Sequence, residues 1–410
     1  MQKVKLILNE PQQVLTKLLS KELFFQDYKT EDNLNWNEIC EEAKKQAVVI
    51  PAFFHYQYLG LDNDIKKIIE TVVMPNIVNT IQNYSYSTYL NKLMKKNGIT
   101  YCILKGVASA LYYPDELSRQ MGDIDFLVPE NQFSKATDIL EKEGFIHYNS
   151  SHSFHEVFQK DSLQFEMHFK PFIIPDGVIG KRIEQYLKNI YETAVLYDDG
   201  TFQFYIPDKF HHGLVMLMHV QRHLVAEGIG LRHLCDWAVF VNNFENGEFE
   251  KIFKERLEQI GMWNFACIFS LTAVVSIGLP YQEWMENDFS VASLMAQDII
   301  SSGNFGSKDP QRAYAGLMIA DKGKGNFKCN RWYQLIKSLN YRIYIYWPLC
   351  KKIKLFLPIG WFAYVIRRFI NVKKGMRNKL DLKKVVYDSD NRKKLYSKLK
   401  IFKIERGNKT

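Results

Sequence analysis

The sequence predicts an α+β protein, a mixed β-sheet core with helices, flanked by N-terminal and C-terminal helical regions. Three observations predict it. Up to about residue 96, apolar residues recur at spacings of three and four. Between 97 and 205 that texture gives way to short apolar runs and alternating segments punctuated by Gly and Pro. From 206 onward helical spacing returns. The implied division is a helical region at 1–96, an α/β core at 97–205, a helical domain closing a cleft at 206–330 and a basic, aromatic helical tail at 331–410.

Each element has a local reason. In "WNEICEEAKKQAVV", Trp36, Ile39, Ala43 and Ala47 fall on one helical face. The following helical stretch is punctuated by Pro75 and stops at Asn97-Gly98. "TYCILKG" reads as a buried strand ending in a glycine turn, and "VASALYYPDELSR" as a brief helix with a loop after Pro114. "DIDFLV" is the next strand, stopped by Pro129. Phe133, Ala136, Ile139 and Leu140 line one face of a helix that ends at Gly144. "FHEVFQK" and "LQFEMHFK" are two alternating strands joined at Asp161-Ser162. From "IPDKFHHGLVMLMHVQRHL" to about Ile300 the chain reads as mostly helical.

Composition narrows the class. With 47% hydrophobic and 24% charged residues the 410-residue chain is an ordinary globular protein with room for large cores. The start lacks a secretory pattern, and six scattered cysteines with no CxxC pair imply free thiols in a cytoplasmic setting. Charge is lopsided. Residues 331–410 carry 22 Lys and Arg against 4 Asp and Glu, while residues 1–330 carry 32 against 41. That tail is either a solvated helical end or the seat of an anionic partner. The favoured partner is an anionic membrane, met peripherally at its inner face through residues 341–400, ahead of nucleic acid. Pro348, Lys351, Lys352, Lys354 and Pro358 argue against a clean span of ~20 apolar residues.

The chemistry concentrates in "GDIDFLV". Asp123 and Asp125 stand two apart on a strand, so they share a face, ~7 Å apart along it. Like charges so close need a cation between them. Two such acids are half of a divalent-metal site, and Mg2+ or Mn2+ bound by carboxylates, water and phosphates fits best. In "QFEMHF" the apolar Phe165, Met167 and Phe169 alternate with Glu166 and His168. Glu166 completes the site if its strand lies beside that of Asp123. Gly106 lets a backbone approach a phosphate closely. Lys105 and Arg119 supply positive contacts for a triphosphate.

"ILKGVASALYYPDELSRQMGDIDFLV" followed by "FEMHFK" resembles the bacterial nucleotidyltransferase-like family, a branch of the DNA polymerase β superfamily. The resemblance is closest over Ile103–Lys170 and looser through "GIGLRHLCDWAVF". It implies a nucleotidyltransferase-like sheet, Asp123, Asp125 and Glu166 as catalytic metal carboxylates, and Gly106 in the nucleotide-binding turn. Lys105, Arg119 and His168 are placed with Gly106 as nucleotide-binding residues. One departure stands out. Relatives in the wider superfamily often have Gly-Ser or Gly-Gly in the turn, whereas this chain has Gly106-Val107 and no hydroxyl there.

The expected function is metal-dependent transfer of a nucleoside monophosphate from an NTP to a hydroxyl of a small-molecule, sugar or protein acceptor. Two alternatives stand beside it: an inactive nucleotide-binding or scaffold relative, and a DxD glycosyltransferase. His212, His219 and His223 share a face of the "FHHGLVMLMHVQRH" helix. They read as a cleft lining, as ordinary hydrogen-bonded histidines, or as a zinc site. Arg232 and Asp236 are further candidates for contact with phosphate or histidine.

Overall fold

A computed structural model describes residues 6–31, 33–148, 154–319, 331–374 and 381–404. Cys329 and the proposed boundary at residue 330 lie outside the described residues.

The sheet has five strands: β1 (Cys102–Ile103), β2 (Ile124–Leu127), β3 (Ile146–Tyr148), β4 (His155–Lys160) and β5 (Leu163–His168). Their spatial order is β1-β2-β5-β4-β3, and only β2 and β5 run parallel. The mixed pattern follows from chain length. Only two residues, Asp161 and Ser162, separate β4 from β5, which forces an antiparallel hairpin. The return from β2 passes through the helix Phe133–Lys142 and β3, long enough for a crossover. A separate hairpin, β6 (Val195–Asp198) with β7 (Gln203–Ile206), had no counterpart in the sequence reading.

Strand alternation gives the sheet two unlike faces. Ile124, Phe126, Phe165 and Met167 point into an apolar core shared with Val107, Ala136, Leu140 and Phe158. Phe126 and Phe165 meet edge to face at 5.7 Å, a favoured geometry for aromatic pairs. Asp125, Glu166 and His168 occupy the opposite face, and Leu127 there joins the larger helical core.

Helices supply that larger core. Lys209–Val225, Leu231–Asn242, Glu248–Gln259, Trp263–Ile277 and Phe289–Ser302 bury Trp237, Phe240, Phe249, Phe253 and Phe269 between them. Asp208 starts the first of these by accepting the His211 amide at 2.8 Å.

The N-terminal helix Asn63–Lys96 runs unbroken through Pro75, the residue that punctuates its helical pattern. Thr71, whose carbonyl loses its partner, and Pro75 both lie on the exposed face, so water can satisfy the lost bond. Ile69 and Val73 before Pro75, and Thr80 and Tyr84 after it, stay buried against the body.

The tail also departs from expectation. Lys354–Lys373 is long and apolar enough to cross a membrane by length and composition, with a mean hydropathy of 1.3. Pro348 and Pro358 do not interrupt this run, because one precedes a helix and the other sits in a first turn, where proline is tolerated. The last helix, Leu382–Lys398, folds back onto the body. Arg392 donates to the Leu224 and Arg312 carbonyls at 3.0 and 3.1 Å, and the Tyr396 hydroxyl donates to Asp298 at 2.6 Å.

Candidate functional site

The parallel pairing of β2 with β5 sets Asp125 directly beside Glu166 and Leu127 beside His168. Asp123 precedes β2 on the same side. The antiparallel pairing of β4 then sets His155 beside His168. Three carboxylates and two imidazoles therefore share one sheet face, at the floor of a cleft of about 410 Å³.

The cation required between the acids is present in the chain itself. Lys105, at the end of the β1 segment, places its Nζ 2.8 Å from Asp125 Oδ1. His168 Nε2 lies 3.0 Å from the same oxygen and 3.8 Å from Glu166 Oε2. Burial alone would favour neutral Asp125, yet Lys105 and His168 outweigh it and hold the carboxyl well below the usual range. Asp123 is left with the repulsion. The charge of Asp125, then burial, then Glu166 push its carboxyl up to about 7, with Lys105 offsetting only part. Glu166 is held down against burial mainly by the His168 imidazole beside it. Burial alone would lower His168, but its bond to Asp125 and the nearby Glu166 carboxylate raise it. Such a cluster has an unmet demand for positive charge at Asp123.

Fit to a metal is therefore a matter of donor chemistry. Asp123, Asp125 and Glu166 are the hard oxygen set that Mg2+ or Mn2+ takes. His155 was not among the site residues expected from sequence, where it was only the second residue of a strand. Its Nε2 comes within 3.7 Å of Glu166 Oε2. One ligand atom each from His155, Glu166 and His168 lies within 4.8 Å of the others, close enough to hold one ion. The signal that could have found it is register: pairing "FHEVFQK" with "LQFEMHFK" across a two-residue turn sets the two histidines side by side.

Gly106 adopts φ 65° and ψ −117°, a conformation that non-glycine residues avoid. A Cβ there would lie 3.8 Å from the Asp123 carbonyl oxygen, so the turn abuts the acids. The Val107 side chain points away, into the apolar core. A hydroxyl reaches the cleft two residues later, from Ser109, which lies 3.2 Å from His212 Nε2.

Arg119 lines the cleft but is committed elsewhere. Its Nε and Nη2 both donate to Asp236 at 2.8 Å, and Tyr113 Oη donates to the same carboxylate at 2.8 Å. This buried fork ties the loop before β2 to the helix Leu231–Asn242. A contact with triphosphate would require Arg119 to leave a bidentate partner. Arg232 is better placed, with its Nη1 3.7 Å from where a Cβ on Gly122 would sit. Its buried Nε has no hydrogen-bond partner among the described residues. Burial, then the neighbouring Arg119 charge, lower its pKa.

The remaining wall is histidine-rich. His219 Nδ1 lies 3.5 Å from Lys105 Nζ, and its ring stacks on His233 at 5.5 Å. His223 is hydrogen-bonded to Glu227. Burial, then the Lys105 charge, keep His219 well below the usual imidazole range, so it faces the cleft neutral. Of the three readings of this helix, His219 and His223 take the cleft lining, and His212 is a hydrogen-bonded core histidine.

A family described as an uncharacterised nucleotidyltransferase matches residues 32–275, well over half of the chain. No curated protein matches the sequence.

Proposed function

Because the chain belongs to the uncharacterised nucleotidyltransferase family, we propose that it moves a nucleoside monophosphate from an NTP to a hydroxyl of a small-molecule, sugar or protein acceptor. The observation that carries this reading is the register of β2 with β5, which brings Glu166 beside Asp125 and next to Asp123. Asp123, Asp125 and Glu166 would hold Mg2+ or Mn2+, with Asp125 central. Divalent ions there would neutralise the triphosphate and acidify the acceptor hydroxyl.

The protein's own groups then have distinct tasks. Lys105, paired with Asp125, is within reach to exchange that carboxylate for a phosphate oxygen. The Gly106 turn brings backbone close to the same phosphates. Arg232, whose Nε has no hydrogen-bond partner among the described residues, offsets charge that develops on the departing pyrophosphate. Glu166 orients the acceptor oxygen and takes its proton, and His168 holds Glu166 and Asp125 in place. The acceptor oxygen bonds to the α-phosphorus as the bond to the β-phosphate oxygen breaks, so pyrophosphate leaves.

A second reading, nucleotide binding without turnover, draws support from the missing hydroxyl at Val107 and from the Lys105–Asp125 pair. One experiment separates the two. Purified protein is given Mn2+ and α-labelled NTPs with a panel of acceptors, beside Asp123→Asn. Label transfer and pyrophosphate release that vanish in the variant, with its circular dichroism unchanged, support the transferase. An equal rate in Asp123→Asn rules the assignment out.

A further inference from the structure

Among the described residues, the helix Leu357–Lys373 is covered on one side only. Its inner face lies on the helix Arg331–Tyr346 and, through Arg368, on Tyr314 of the short helix Arg312–Gly316. A Cβ on buried Gly360 would fall 2.7 Å from Ile343, Trp361 Nε1 donates to Asn340 at 2.8 Å, Arg342 donates to the Tyr364 hydroxyl at 2.9 Å, and Arg368 donates to the Tyr314 hydroxyl at 2.6 Å. Its outer face carries Ile359, Phe362, Ile366, Phe369 and Ile370 at spacings of three and four, with Phe362 69% and Phe369 60% exposed. Leu355, just before the helix, extends the stripe at 83% exposure. Only 6% of the helix's apolar window is buried. Lys351, Lys352 and Lys354 precede the stripe, and Arg367, Lys373 and Lys374 border its far half, all exposed.

We propose that this stripe seats the protein on an anionic lipid bilayer, with the helix lying in the plane of the interface. An aromatic and aliphatic ridge between lysines and arginines is what such a surface takes up, the rings entering the headgroup boundary while the cations meet lipid phosphates. Charge decides against a second copy of this chain as the occupant. Residues 331–410 carry 22 basic and 4 acidic residues, so two such faces would repel. The inner contacts decide against a spanning orientation. Asn340, Arg342 and Arg368 tie that face to polar partners, and crossing hydrocarbon would expose them or strip them away.

The test is co-sedimentation of the full chain with phosphatidylcholine vesicles, with and without phosphatidylglycerol. The Phe362→Asp/Phe369→Asp variant is run in parallel, its fold checked by circular dichroism and its size by light scattering. Both side chains are exposed, so the variant leaves the core intact. Binding is expected only to the phosphatidylglycerol vesicles, weakening with salt as surface charge is screened. The variant should bind about a hundredfold more weakly, the effect of withdrawing two phenyl rings from the interface. Equal binding of variant and parent, or no binding to the anionic vesicles, overturns the proposal. So does resistance to alkaline carbonate, which marks a spanning helix, or a change of oligomeric state in the variant, which marks a protein contact.

Discussion

Replacing Asp236 by Asn should cost about 3–5 kcal/mol of stability, the usual loss when one partner of a buried ion pair is removed. The carboxylate accepts from Arg119 Nε, Arg119 Nη2 and Tyr113 Oη, each at 2.8 Å. The Arg119 and Asp236 side chains are only 5% and 11% exposed. Asparagine keeps the shape but leaves the Arg119 guanidinium buried without its anion, and turns an amide donor towards it. Charge-assisted bonds of this kind contribute about 1.5–3 kcal/mol each, so losing the fork is compatible with that range. Against a total of about 5–15 kcal/mol for a folded domain, the loss is a large fraction. Urea unfolding followed by circular dichroism measures it. Arg119→Met combined with Asp236→Leu removes both charges and should cost less than the sum of the single changes. A loss below about 1 kcal/mol for Asp236→Asn would refute the role assigned to the fork. An Arg119→Lys variant of full stability but raised KM for NTP would return Arg119 to the triphosphate.

Three further outcomes are expected. Gly106→Ala forces a side chain into φ 65°, so it should fold with a penalty of about 1–2 kcal/mol and bind NTP more weakly; unchanged NTP affinity by calorimetry would separate this turn from the nucleotide. His155→Ala should remove one of the nitrogen hyperfine couplings from bound Mn2+ in pulsed electron paramagnetic resonance, leaving that of His168, while Asp123 and Asp125 still hold an ion. A signal identical to the parent's would take His155 out of the coordination sphere. Asp208→Ala removes the cap of the histidine-bearing helix and should cost about 1 kcal/mol. Burial alone would raise the Asp208 carboxyl, but its bonds to the His211 side chain and amide bring it down to about 2. Its folded pKa is thus depressed, so its stabilisation is present above about pH 3.9 and fades as pH falls towards 2. Acid unfolding of parent and variant should converge in that window, and parallel curves would contradict the sign.

Much of the floor of the cleft was legible because strand geometry is strict. A period of two fixes which residues share a face, so Asp123 with Asp125 and Glu166 with His168 follow from spacing alone. His155 was missed because its place depends on register across a hairpin. Arg119 shows a different limit of local spacing. It lies four residues before Asp123, but its partner is 117 residues away in the chain, and local spacing carries no information about that. Val107 looked like a defect in a phosphate turn, yet the structure gives the side chain to the core and Ser109 the view of the cleft.

Local chemistry, then, was enough to determine the helices and the strands around the acids, the sharing of one face by paired acids, the glycine turn and the excess of positive charge in the tail. Each depends on neighbours within a few residues, where backbone sterics and side-chain period leave few options. Tertiary structure alone decided that β5 lies parallel to β2, that Lys105 rather than Arg119 answers the charge on Asp125, and that one face of Leu357–Lys373 stays uncovered by the other described residues. Those outcomes come from competition among partners far apart in sequence. Burial sets its strength, because a charge removed from water must find its counter-charge wherever the fold has put one.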